Sequence, residues 1–167
     1  QLTPDERPYE QLPRLDASGH WQASSGLGSD VQAELIDFRR NTGVTGWRAW
    51  AQPAVGYDYT RPGFYLRPRA GWDLAAYRLS GNASGDDTPS RSLPVLTLDT
   101  AMQLERAAGS RDTRRVMLEP RLKYTYIPYR DQSAIPVFDT ALPDPNYVSL
   151  FSTNRYAGLD RLGDANA

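Results

Sequence analysis

Apolar residues along most of the chain recur with period two, and helical spacing is rare. Between Val116 and Tyr126, Val116, Leu118, Pro120, Leu122, Tyr124 and Tyr126 share one face, while Met117, Glu119, Arg121, Lys123 and Thr125 share the other. A strand of that pattern is apolar on one side and charged on the other. Between Trp47 and Tyr59 the odd positions Trp47, Ala49, Ala51, Pro53, Val55, Tyr57 and Tyr59 oppose Arg48, Trp50, Gln52, Ala54, Gly56 and Asp58. From Phe64 the set Phe64, Leu66, Pro68, Ala70, Trp72, Leu74 and Ala76 opposes Tyr65, Arg67, Arg69 and Asp73. Pro94, Leu96, Leu98, Met102 and Leu104 oppose Val95, Thr97, Asp99, Gln103 and Glu105, and Leu15, Ala17, Trp21 and Ala23 oppose Arg14, Asp16, Ser18, His20 and Gln22. The stretch from Val31 alternates as far as Leu35 and slips phase at Ile36, which predicts a bulge. The pattern predicts about six strands over residues 1–126, each about 10 to 14 residues long.

A weak repeat runs through these strands: AQPAVGY from Ala51, LRPRAGW from Leu66 and LEPRLKY from Leu118. Proline cannot donate to a strand ladder, so its recurrence at one offset predicts a shared depth near a rim. Tight turns are expected at SSGLGS near Ser24, TRPG at Thr60 and GSRDTR near Gly109. Longer connections are expected near Arg40, from Ser80, and after Ile127. Short and long connections alternate without crossover helices, so the strands form an all-β antiparallel up-and-down meander.

Alternation ends near Tyr126, and residues 127–167 read as one long loop leading towards a further strand. Its aromatics, together with Pro128, Pro136, Pro143 and Pro145, favour an ordered loop over a flexible one. Tyr129, Arg130, Asp131, Asn154, Arg155, Asp160 and Arg161 are its candidate ordering residues, the charged ones through ion pairs.

Composition favours a membrane sheet over a soluble one. Tyr and Trp number 10 and 4 against 4 Phe, a bias towards rings suited to an apolar–wet boundary. Aromatics gather at strand ends, as in a girdle around an apolar band. No stretch approaches the ~18 consecutive apolar residues of a spanning helix, which leaves strands as the route across a bilayer. A set of about six strands cannot close a membrane barrel, and an open sheet in lipid leaves unpaired edges. The expected fold is therefore part of a large transmembrane β-barrel, one partial domain ending in the long loop. Polar residues and prolines at the start give no signal peptide, as expected of a processed or internal segment.

Net charge is −1, which gives no basic field for nucleic acid, and the absence of cysteine removes disulfides and thiolate chemistry. His20 is the sole histidine, and no serine sits in a nucleophile elbow. Neither an enzyme nor a bound cofactor is expected. Asp86 and Asp87 lie in a polar loop where solvation accounts for them. Arg48, Arg67, Arg69, Glu119, Arg121 and Lys123 form a polar ladder expected to face a lumen. It either contacts a partner or phosphosugars through charge-assisted bonds, or pairs with Asp58, Asp73, Asp99, Glu105 and Glu119 on neighbouring strands. A general porin wall and a soluble carbohydrate-binding sheet remain the alternatives at this point.

The run LEPRLKYTYIPYRDQSAIPVFDT, with the later LF, NRY, GLDR and DAN elements, resembles the lipopolysaccharide-assembly outer-membrane protein family, LptD. The proline-punctuated strands and RSLPVLTLDTAMQLER extend the resemblance over nearly the whole chain. It implies an outer-membrane barrel of a Gram-negative bacterium that releases lipopolysaccharide into the outer leaflet. It also implies an LptE-like plug lipoprotein in the lumen and outer-membrane lipids around the wall. The segment would supply wall and outer loops rather than the lateral gate.

Overall fold

The computed structural model describes residues 8–82, 85–108, 114–144 and 151–166. Ten β-elements follow one another: β1 (Glu10–Gln22), β2 (Leu27–Arg39), β3 (Thr45–Tyr57), β4 (Tyr59–Arg61), β5 (Phe64–Ser80), β6 (Ser90–Met102), β7 (Leu104–Ala108), β8 (Arg114–Leu118), β9 (Arg121–Ile127) and β10 (Ala165–Asn166). The main sheet runs β1-β2-β3-β5-β6-β9-β10, with β4 paired to β5, and every pairing is antiparallel. β7 and β8 form a separate two-stranded ribbon that carries the β6–β9 hairpin beyond the sheet. The all-β antiparallel meander expected from the alternation is present.

Both faces are those the period-two pattern assigns. Leu15, Trp21, Val31, Val55, Trp72, Leu74, Leu96, Leu122 and Tyr124 all point outwards and are exposed. The opposite face carries Glu34, Arg48, Asp73, Arg91 and Thr125, which are buried. A soluble sheet would reverse this, hiding its aliphatics and showing its charges to water. The structure is inside out in the manner of a sheet meant to have lipid on one side.

Four local expectations need correction. The predicted bulge at Ile36 is absent, because β2 pairs with β3 in unbroken register from Leu27↔Tyr57 to Phe38↔Gly46. The irregularity lies instead in β1, between Gln11 and Arg14. What changes at Ile36 is the covering, not the register. Up to Leu35 the apolar residues face outwards; beyond it Ile36 and Phe38 face inwards, fully buried under the long loop. The expected single strand from Val116 to Tyr126 is broken at Glu119 and Pro120, where the chain leaves the ribbon and joins the sheet. The prolines do not share one depth: Pro53 is mid-strand opposite Val31, Pro68 opposite Leu98, and Pro120 in the break. The connection near Arg40 is short, five residues from Arg40 to Val44.

The remaining connections alternate as expected. Turns at Ala23–Gly26 and Arg61–Gly63 close one rim, and the third expected turn, near Gly109, lies outside the described residues. Gly26 has φ 94°, and a Cβ there would sit 2.5 Å from the Asp58 carbonyl oxygen, so the first turn requires glycine. The other rim carries the Arg40–Val44 connection, the β5–β6 loop and the long segment from Pro128 to Asp164.

Candidate functional site: a loop clamped onto the polar face

The described residues of the long segment have almost no regular structure, so their backbone and side chains must find partners elsewhere. They find them on the inward face of the sheet. Ile135 and Phe138 are buried against Ile36, Phe38, Trp50, Tyr77 and Leu79, and Leu162 against Leu93, Val95 and Ile127. The rings of Phe38 and Phe138 stack with centroids 4.4 Å apart, and Tyr9 meets both edge-on. Such contacts hold the segment down but do not fix its register.

Two arginines of the sheet fix it. Arg48 of β3 is fully buried, with its guanidinium over the Phe38 ring. It donates to Glu34 Oε1 (2.7 Å), to both oxygens of Asp139 (2.8 and 2.6 Å) and to Asp160 Oδ1 (2.6 Å). Glu34 belongs to β2, whereas Asp139 and Asp160 belong to the loop. The cation therefore bridges wall and loop. Asp160, itself fully buried, also accepts from Tyr77 Oη, the Phe138 and Asp139 amides and Thr140 Oγ1. Arg91 of β6 does the second half of the work: it donates to Asp73 (2.8 Å), to Gln132 Oε1 (3.0 Å) and to the carbonyls of Leu159 and Asp160. Trp50 Nε1 holds the other oxygen of Asp73 at 2.9 Å. Among the described residues no buried side-chain polar atom lacks a partner, the condition under which a buried ionic network is tolerable.

Burial raises the Asp139 carboxyl, but its hydrogen bonds with Arg48 and the charge of that guanidinium outweigh burial and hold it below the usual carboxylate range. A depressed acid stabilises the docked loop above its free value of about 3.9 and loses that contribution as pH falls through the docked value. Hydrogen exchange in residues 128–144 of the full-length protein should therefore be flat from neutral pH to about pH 5 after correction for intrinsic rates, and rise below about pH 4. A rise already complete at pH 5 would show that Asp139 is not held ionised. At Gly158 φ is 81°, and a Cβ would meet the Asp139 carbonyl oxygen at 2.6 Å and Thr140 Oγ1 at 2.8 Å. Gly158→Ala is expected to loosen the loop by about 1–3 kcal/mol, read as accelerated proteolysis between residues 128 and 164; wild-type protection would contradict this packing.

The expected ladder separates into four environments. Arg48 is buried in the clamp. Arg67, Arg69 and Arg121 line the open part of the inward face, paired with Asp58 (3.0 Å), Asp30 and Asp99 (2.6 Å). Lys123 reaches the loop, donating to the Phe151 carbonyl (2.5 Å) and Thr153 Oγ1 (3.2 Å). Glu119 is not on the sheet at all; it sits in the β8–β9 break and accepts from Gln103 Nε2. The ladder is thus largely paired across neighbouring elements.

In the loop, Asn154 binds the Arg161 carbonyl and the Gly163 amide, and Arg161 donates to the Ile135 carbonyl at 2.6 Å. Asp131 accepts from the Ser133 amide, which lowers its carboxyl. Tyr129 and Arg130 are exposed, and Arg155 meets Asp164 only at 3.7 Å. Of ion pairs within the loop the described residues show this exposed one, and the buried pairs run from loop to sheet. Sequence reasoning did not single out Arg91, Glu34, Asp139 or Gln132. Period-two phase places Arg91 and Glu34 on the inward face, and that was the available signal. His20 is exposed on β1, and among the described residues no group of three or more His, Asp and Glu is placed to hold a metal ion.

Below the loop a cavity of about 650 Å³ opens on the inward face, lined by Asp30, Gln52, Arg67, Arg69, Asp99 and Lys123 beneath Asn154 and Tyr156. The sheet thus carries a polar, water-accessible hollow on one face and exposed aliphatic side chains on the other. A family model for LptD, the LPS transport system D, matches residues 1–167. The chain belongs to that family. Its relatives include the LPS-assembly protein LptD of Aromatoleum aromaticum, 38% identical over 175 residues that cover 99% of this chain and 22% of the relative. The same-named protein of Nitrosococcus oceani is 39% identical over 167 residues, covering 96% of this chain and 22% of the relative. That of Ralstonia nicotianae is 37% identical, covering 95% and 21%. The chain thus spans about a fifth of the length of these relatives. As an LptD-family chain it resides in the outer membrane of a Gram-negative bacterium.

Proposed function

We propose that this chain is wall and outer-loop structure in the barrel of the translocon that inserts lipopolysaccharide into the outer leaflet. Its outward aliphatics contact membrane lipid, and its unpaired sheet edges continue into further strands of a closed barrel, since open edges are prohibitive in hydrocarbon. The domain reading that goes with this is one partial domain: barrel strands over 1–126, then the loop of 127–167. The observation that carries the reading is the loop clamped by Arg48 and Arg91 across the inward face. A wall that must keep a wide lumen from standing open needs such a cover, whereas a diffusion pore needs the reverse. The segment serves as fixed wall rather than as the lateral gate, because a gate must part and this sheet is tied across four strands by the buried pairs Arg48–Glu34 and Arg91–Asp73 and the Trp50–Asp73 hydrogen bond.

Lipopolysaccharide and an LptE-like plug lipoprotein are the partners of the inward face in this reading. The paired arginines Arg67, Arg69 and Arg121, beside the cavity, are the groups that present charge to them. Photo-crosslinking in the full-length protein in cells tests it. A crosslinker at Arg121 should capture plug or lipopolysaccharide, and one at the neighbouring, outward Leu122 should capture no plug. Failure of both positions to capture either species would remove the transport content and leave a plain structural sheet.

A further inference from the structure

The outward face changes character near the long-loop rim. In register order, Leu35, Ala49 and Ala76 form its last apolar row, above Ala33, Ala51 and Leu74. The next row is Asp37, Trp47 and Arg78, and beyond it Arg39 of β2 lies opposite Glu10 of β1. Here the chain encloses an outward cleft of about 1000 Å³ lined by Arg39, Arg78, Trp47, Asn41, Thr45 and Ser80. We propose that this cleft seats the phosphorylated sugar headgroup of an outer-leaflet glycolipid, with an acyl chain lying down the alanine-floored strip beneath it.

Three features select that occupant. First, inward Arg48, Arg67, Arg69, Arg91 and Arg121 are all paired with carboxylates, whereas Arg78 has no carboxylate partner among the described residues and is exposed. Arg39 is about two-thirds exposed and engages Asp37 through Nε at 2.6 Å, which leaves its outer nitrogens facing the cleft. The cleft contains Glu10 and Asp37 as well as Arg39, Arg40 and Arg78, so its balance is one positive charge. Arg40 is taken up by the Thr42 carbonyl and the Tyr9 ring. Guanidinium is the group best matched to phosphate oxygens. Second, the cleft is too large for phosphate alone, and the amide of Asn41 with the hydroxyls of Thr45 and Ser80 suits sugar hydroxyls. Third, Trp47 stands at the boundary between aliphatic strip and charged row, where an indole marks the headgroup level of a bilayer. Ala33, Ala49, Ala51 and Ala76 lie contiguously beneath it, bounded by Leu35 and Leu74, and leave a shallow furrow for a chain. The rim with longer connections is the external one in outer-membrane barrels, so the headgroup belongs to the outer leaflet.

The inference rests on the membrane-wall reading of the preceding section but not on translocation. It is tested on the full-length protein with its natural partners in detergent. Native mass spectrometry would count retained lipid after incubation with lipid A, dephosphorylated lipid A or phosphatidylglycerol. Lipid A should be retained by the wild type, and the Arg39→Gln/Arg78→Gln double variant should bind it at least about tenfold more weakly, the effect of losing a charge-assisted contact. Arg115→Gln, a largely exposed arginine on the opposite side of the molecule, should bind as wild type, and all three proteins should give the same capture at Arg121. Equal retention by the double variant, or equal retention of dephosphorylated lipid A, would overturn the headgroup seat. Equal retention of phosphatidylglycerol would reduce it to a general anionic-lipid rim and overturn the sugar component. Loss of Arg121 capture with rim binding intact would sink the transport reading alone.

Discussion

Replacing Arg48 by alanine should free the long loop from the wall while leaving the sheet assembled. The substitution leaves Glu34, Asp139 and Asp160 with no common cation, the first and last of them buried. Breaking a buried pair by removing one partner costs about 3–5 kcal/mol, mostly from the charges left behind. Here that cost falls on loop docking, because two of the three carboxylates are the loop's. Limited proteolysis of the full-length protein in lipid nanodiscs should show cleavage between residues 128 and 164 at least about a hundredfold faster than in the wild type. Arg67→Ala removes an exposed pair with Asp58 and should leave the loop as protected as before. Protection unchanged in Arg48→Ala would mean that aromatic packing around Phe138 holds the loop unaided.

A second large effect is expected on the outward face. Leu96 lies at the middle of β6, exposed, between Ala70 and Tyr126 in register. Leu96→Arg should destabilise the full-length barrel in phospholipid vesicles by about 2–4 kcal/mol, the cost of an arginine at mid-bilayer on the lipid side. The adjacent residue, Thr97, faces inwards beside the cavity. Thr97→Arg, directly opposite Arg69, should cost no more than about 1 kcal/mol, the scale of a like-charge cross-strand pair. Equal costs at the two positions, measured by denaturant unfolding, would contradict a lipid boundary on one side only.

The contrast between these sites also marks what could be read from the chain. Leu96 and Thr97 were assigned to opposite faces from alternation alone, since strand geometry is local and period two fixes the direction of each side chain. The same rule placed Arg48 on the inward face but could not distinguish it from Arg121. One is sealed and the other open because Asp139 and Asp160 arrive from 91 and 112 residues away. Local pattern carries no information about such partners. The phase change at Ile36 has the same origin: it is a change of neighbour and not of register. Glu119 was misplaced for a different reason, because a proline beside it interrupts the ladder and ends the alternation rule. The loop's order was legible in its aromatics and prolines, and Asp160 among its anchors, but Asp139 and the partners Glu34 and Arg91 were not.

The clamp has a consequence for the order in which the molecule is built. Arg48 comes from β3, Glu34 from β2, Tyr77 from β5 and Arg91 from β6, and the loop's carboxylates follow all of them in the chain. The full set of contacts exists only when four staves stand side by side, and each closes a long stretch of chain. Loop docking is therefore the last local event of assembly. Its protection from protease is a readout that the wall behind it has been completed, and a wall missing one stave would announce itself as an undocked loop.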